Sequence, residues 1–206
     1  INCAAIPESL LEAELFGFEV GAFTGALKQK KGRVELSHGG TLFLDEVGIA
    51  PPALQSKLLR FVQDGEFERL GGTHTHRIET RIITATNVDL KKAVENKQFR
   101  EDLYYRINVV NVRAPALRER PEDIAPLAQH FLIQAAKKNA RPAKWFRHEA
   151  LDALSQYAWP GNVRELQNVI ERAVVLSRSD EVGLDSLPIE LVGARPARVV
   201  SIAVGT

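Results

Sequence analysis

The chain has 206 residues, 45% of them hydrophobic, enough to bury one core or one core and a small companion. Lys and Arg total 27 against 26 Asp and Glu, a formal charge of +1 with no basic stripe, which argues against a protein that grips DNA mainly through phosphates. The single Cys3 excludes an internal disulfide, and no apolar run approaches the roughly 20 residues needed to span a bilayer.

No methionine occurs, and Ile1 opens no charged-then-apolar leader, so the sequence reads as a fragment or a processed or trimmed chain. Ile1 to Ala4 is a first candidate strand, cut short by the chain start. Thr41-Leu42-Phe43-Leu44 follows the turn-forming Gly39-Gly40 and ends in two acids, as expected of a buried parallel strand. Leu54, Leu58, Phe61 and Val62 share one helical face, which Gly65 stops. Arg81 to Asn87 predicts another strand, Asn87 or Asp89 caps a helix carrying Leu90 and Val94, and Ile107 to Val112 predicts a further strand. Strands alternating with helices give an α/β layer, whose ligands sit beyond the carboxyl ends of the strands, where Asp45, Glu46 and Asn87 fall.

After Ala114-Pro115-Ala116 the pattern is helical only. Pro121 opens a helix with an apolar stripe from Ile124 to Ala135, a second carries Leu151 and Leu154, and a third follows Trp159-Pro160-Gly161 and buries Val163, Leu166, Ile170 and Val174. The expected organisation is an α/β unit over 1–114, a small all-helical unit over 115–191 and a loose tail over 192–206.

Two acids after an apolar strand suit phosphate chemistry, one carboxylate serving a magnesium ion and the other orienting an attacking water. Asp45 takes the first role and Glu46 the second, in the Walker B pattern of nucleotide-hydrolysing proteins; strand-end acids are also common as solvated groups. Asn87, ending a neighbouring strand, can sense the γ-phosphate, cap a helix, or both. Arg100 and Arg106 lie in Phe99-Arg100-Glu101-Asp102-Leu103-Tyr104-Tyr105-Arg106, where a persistent planar charge can reach phosphate oxygens or pair with Glu101 and Asp102. Gly21-Ala22-Phe23-Thr24-Gly25-Ala26 is an uncharged, flexible segment that can present Phe23 and Thr24 to another protein, although a plain Gly-rich turn has the same composition.

Together with Glu14-Leu15-Phe16-Gly17 and Lys31-Gly32-Arg33, these segments resemble the AAA+ ATPase domain of sigma-54-dependent transcription activators, the bacterial enhancer-binding proteins, from Ile1 to about Leu191. The resemblance implies an AAA+ parallel-sheet sandwich, here without its first strand and phosphate loop, followed by a helical lid. It implies a cytoplasmic protein that forms a ring, a hexamer in the family, and binds ATP and Mg²⁺. The loop Gly21, Ala22, Phe23, Thr24, Gly25, Ala26 then engages the sigma-54 factor in the RNA polymerase holoenzyme and touches promoter DNA only indirectly. Thr86-Asn87 matches the sensor I position, Arg100 and Arg106 the arginine fingers, and Arg164 sensor II. Asn2 matches the switch asparagine that holds the equivalent of Glu46, and Glu66 to Gly72 matches a second surface loop.

The pattern is broken in places. No GxxxxGK[ST] segment occurs in these 206 residues, so the chain by itself is expected to bind ATP weakly and hydrolyse it negligibly. Phe18 stands where the family usually has His, the hinge at Ala114-Pro115-Ala116 is less proline-rich, and the residues after Leu191 are too few for a helix-turn-helix. His74 and His76 lack a third metal ligand nearby, Cys3 reads as a small buried residue, and Lys28, Lys30, Lys31 and Arg33 read as a solvated charge run. Two other readings compete: a different AAA+ remodelling ATPase, which gives no reason for the Gly21–Ala26 hexapeptide, and a non-catalytic sigma-factor-binding module.

Overall fold

A computed structural model describes residues 1–177 and 179–192. They form two compact units, one over Ile1–Val112 and one from Arg113 onward.

In the first unit α1 (Glu8–Phe16) leads into β1 (Gly17–Phe18), which pairs antiparallel with β2 (Lys30–Lys31) and is followed by the single turn α2 (Arg33–Leu36). Then come β3 (Thr41–Leu44), α3 (Pro52–Asp64), the antiparallel hairpin β4 (Glu66–Glu68) and β5 (Thr75–Arg77), and β6 (Arg81–Thr84). Helices α4 (Leu90–Glu95) and α5 (Glu101–Ile107) complete it. β3 and β6 run parallel in the register Thr41↔Arg81 to Leu44↔Thr84. On the other edge of β3, residues 1–3 run parallel to its end: Asn2 bridges Asp45, and the Asp45 amide donates to the Ile1 carbonyl at 2.9 Å.

Period-two alternation decides which face of this sheet is covered. Leu42 and Leu44 are buried, whereas Phe43 and its register partner Ile83 stay 47% and 41% exposed. β3 is therefore covered on one face only among the described residues, not on both as its apolar run predicts. α3 starts at Pro52, whose fixed φ suits a first helical position, and buries Leu54, Leu58 and Phe61. It stops at Gly65, where φ is +72° and an added Cβ would sit 2.4 Å from the Ile78 carbonyl oxygen. Phe16, Phe61 and Phe67 meet beneath it with ring centroids 6.1 to 6.4 Å apart. The strand expected over Ile107 to Val112 does not form: Ile107 ends α5, and Val109, Val110 and Val112 are 78%, 80% and 86% exposed. The strand expected at Ile1 to Ala4 is a single bridge, because Cys3–Ala5 already turns into a 3-10 helix.

The second unit is built from α6 (Ile124–Lys138), α7 (His148–Gln156), α8 (Asn162–Leu176) and the short α9 (Ile189–Val192), with a minimal parallel pair, β7 (Trp145–Phe146) and β8 (Glu181–Val182), that the helix-only pattern does not foresee. Leu132, Leu154, Leu166, Ile170 and Trp159 are fully buried at its centre. Trp159 fixes the turn into α8: its indole N–H donates to the Leu154 carbonyl at 2.8 Å, and the Glu165 carboxylate accepts from the Gly161 amide at 2.8 Å. The tail expected over 192–206 lies, beyond Val192, outside the described residues. No described helix is long and apolar enough to cross a membrane.

Candidate functional site

The acid pair sits at the carboxyl end of β3, as the alternation of strands and helices predicts. The Asn2 side-chain amide donates to Asp45 Oδ2 at 2.9 Å, while Asn2 Oδ1 caps the following turn by accepting from the Ala4 amide. Glu46 has φ 56° and ψ 43°, a left-handed conformation that a non-glycine residue adopts at some cost. That turn carries its carboxylate to the neighbouring strand end, where it accepts the Asn87 backbone N–H at 3.1 Å. The pairing implied for Asn2 is therefore corrected: its amide holds Asp45, not Glu46, because the turn at Glu46 points the second carboxylate at Asn87.

Thr86 Oγ1 accepts from the Val88 amide at 3.1 Å and lies where a Cβ on Gly48 would come within 2.6 Å. Only glycine lets these two turns close together. The helix after Asn87 is capped by Asp89, whose carboxylate accepts from the Lys92 amide, so the Asn87 side chain is not spent on a cap.

Arg100 lies just before α5. Its guanidinium makes a two-point contact with Asp102, 2.7 and 3.0 Å, and donates to Ser56 Oγ at 3.3 Å; the Asp102 contact raises its pKa. It pairs with Asp102 and not Glu101, and its side chain remains 46% exposed. Arg106, one helical turn and a half further, donates to the Gln63 carbonyl at 3.2 Å and is exposed. The segment is anchored by Gln55, a residue with no sequence signal. Only 1% exposed, Gln55 accepts from the Arg100 amide at 2.8 Å and donates to the carbonyls of Ala50 and Gln98. Arg164 stands exposed in the first turn of α8, in the second unit.

The hexapeptide caps the β1–β2 hairpin. Gly21 and Gly25 have φ of +82° and +101°, the Gly21 amide donates to the Ala26 carbonyl at 2.9 Å, and the Ala26 amide donates to the Phe23 carbonyl at 3.0 Å. Ala26 is buried, Thr24 is exposed, and the Phe23 ring meets Phe18 edge to face at 4.9 Å. The turn between β4 and β5 braces this loop from the side. The Glu19 amide donates to the Leu70 carbonyl at 3.0 Å, the Leu70 amide donates to the Gly17 carbonyl at 2.9 Å, and an added Cβ on Gly71 would lie 2.8 Å from Ala22 Cβ. Beneath the contact Arg69, 7% exposed, reaches Glu19 and Glu35, each at 2.7 Å. This ion triad was invisible to motif reading. Of the charge run beside the loop, Lys30 pairs with Glu14 and Lys31 with Glu35.

The His74 and His76 rings meet edge to face with centroids 4.7 Å apart, and among the described residues no group of three His, Cys, Asp or Glu side chains is placed to hold a metal.

Comparison with known proteins places this geometry. Residues 1–113 match the sigma-54 interaction domain and residues 118–201 an AAA+ ATPase lid domain. The chain is 56% identical over 191 residues to a Nif-specific regulatory protein of Azospirillum brasilense, covering 93% of this chain and 30% of that protein. It is 50% identical over 193 residues to the transcriptional regulatory protein ZraR of Klebsiella oxytoca, covering 94% of this chain and 44% of ZraR. Crystal structures of NtrX from Brucella abortus superpose at 38% identity, with TM-score 0.84 for the ADP complex and 0.83 for the ATP complex, covering 97% and 96% of this chain and 45% and 46% of theirs. The chain thus spans under half the length of these proteins. By the match over more than half its length, it belongs to the sigma-54 interaction domain family of AAA+ transcription activators.

Proposed function

We propose that this chain is part of the remodelling engine of a sigma-54 activator, in which ATP hydrolysis by the whole domain within a ring, a hexamer, moves the Gly21–Ala26 loop against the sigma-54 factor in the RNA polymerase holoenzyme. Residues 1–114 carry the hydrolytic groups and the loop, and 115–191 form the lid. The work is cytoplasmic, and promoter DNA is affected through the polymerase. The observation that carries this reading is the loop itself: an uncharged hairpin tip that presents Thr24 and part of the Phe23 ring, braced by a second hairpin at its base.

The hydrolytic roles follow from the acid pair. Asp45 is an oxygen donor at a strand end, and a magnesium ion, which keeps several waters and takes one or two carboxylates plus substrate phosphates, suits such a donor. Asp45 would hold the ion and Asn2 would orient its carboxylate. The bound ion would supply charge neutralisation at the phosphates. Glu46 orients the attacking water, and for that it must leave the Asn87 amide. Thr86 and Asn87 read the phosphate end of the nucleotide, and Arg164 takes the sensor II role. Arg100 and Arg106 reach a neighbour's nucleotide; Arg100 can release Asp102 at little cost because both side chains are exposed and solvent screens the pair.

A pull-down with purified sigma-54 tests the reading. The wild-type chain is expected to capture sigma-54 and the Phe23→Ala chain to lose it, whereas equal capture by both would overturn the assignment.

A further inference from the structure

We propose that Phe18 is a positioning residue for the loop: its ring holds the Phe23 side chain folded onto the loop's own base, and a partner that takes Phe23 must first lift it off Phe18. The two rings meet edge to face with centroids 4.9 Å apart and planes at 64°, an arrangement in which the positive ring edge of one residue faces the negative face of the other. The Phe18 side is fixed. Its backbone pairs with Lys30 in the hairpin and bridges Leu70 of the bracing turn, so neighbours on both sides hold it in place.

The Phe23 side can move. It lies between Gly21 and Gly25, both at positive φ and both with open space where a Cβ would be, and glycine's wide backbone freedom gives the tip two points to turn about. Of the apolar side chains around the tip, Val20 and Leu27 are 65% and 86% exposed, while Phe23 is held to 40%. The contact therefore restrains one side chain, the one read above as the partner's anchor.

Its size suits a latch. An aromatic pair of this kind shifts an equilibrium by about 2- to 10-fold, enough to keep Phe23 down in the free protein and small enough for a partner to displace. The Phe18 contact then lowers apparent affinity by the fraction of molecules whose loop is closed.

The identity of the partner rests on the proposed function, but the contact does not, so two readouts are needed. Phe23 ring protons observed by NMR are expected to be shifted upfield in the wild-type chain and in Phe18→Tyr, and to return to unpaired values in Phe18→Leu, which keeps apolar bulk at β1. Sigma-54 should bind Phe18→Leu about 2- to 10-fold more tightly than wild type, with Phe18→Tyr unchanged. A wild-type Phe23 without the upfield shift, or a Phe18→Leu chain that binds no more tightly than wild type, overturns the latch. A Phe23→Ala chain that still captures sigma-54 instead overturns the proposed function, and the ring shift then decides the latch alone.

Discussion

Arg69 sits 7% exposed between Glu19 at the loop base and Glu35 on α2, and its fork reaches both carboxylates at 2.7 Å. Burial works against the ionised form of Glu35, yet Arg69 and Lys31 together outweigh it and hold its carboxyl below the ordinary range. Removing the cation leaves Glu19 without this partner and Glu35 with Lys31 alone in a partly closed site, and breaking such a pair costs more than forming it contributes. Arg69→Met is expected to lower stability by about 2–3 kcal/mol, less than for a fully buried pair because Glu19 is a third exposed. Arg69→Lys should recover part of that, since it restores the charge but not the planar fork. Urea unfolding of the three proteins checks the order; equal midpoints for Met and wild type would show that the triad contributes nothing to the fold.

At the scale of elements, the β4–β5 hairpin ties this triad to pH. His76 on β5 stacks against Phe67 with centroids 5.3 Å apart, and burial lowers its pKa from 6.5, helped by the nearby charges of Arg69 and His74 and opposed by Glu35 and Glu19. A histidine whose folded pKa is depressed binds fewer protons in the folded state than in the unfolded one. Stability therefore falls as the pH drops through and below about 6.5. Glu35 adds a second, separate loss as the pH falls below its ordinary 4.5 toward its depressed folded value. The urea midpoint is expected to decline between pH 7 and 5.5 in the wild type and to stay level in His76→Gln. The hairpin also shows where sequence reading stopped. The strands at Thr41 and Arg81 and the helices built on Leu58 and Ile170 were legible because period and end signals are local. β4 and β5 are three residues each and pair across a turn, so neither has room to display a period. The acids, Asn87 and the hexapeptide were legible as motifs. Arg69, Gln55 and the Asn2–Asp45 contact were not, since partners 34, 45 and 43 residues apart leave no spacing to recognise.

For the molecule as a whole, the failed strand at 107–112 matters most. A stretch with strand composition that pairs with no strand among the described residues leaves Val109, Val110 and Val112 exposed beside β6, and together they line a groove of about 550 Å³ with Ile82 and Ile83. Exposed apolar surface next to an open strand edge is a template for self-association. Net charge is the usual defence, and here it is only +1, so molecules approaching each other near neutral pH meet almost no long-range repulsion. The purified 206-residue chain is expected to self-associate in a concentration-dependent way at pH 7 and moderate salt. Replacing Val110 and Val112 by Lys adds two positive charges on the exposed stretch, taking the formal charge from +1 to about +3. Because both valines are almost fully solvated, the change should leave the urea midpoint within about 0.5 kcal/mol of wild type. Sedimentation velocity is expected to show the double variant monomeric at concentrations where the wild type forms larger species. If both sediment alike, the groove is not the adhesive surface.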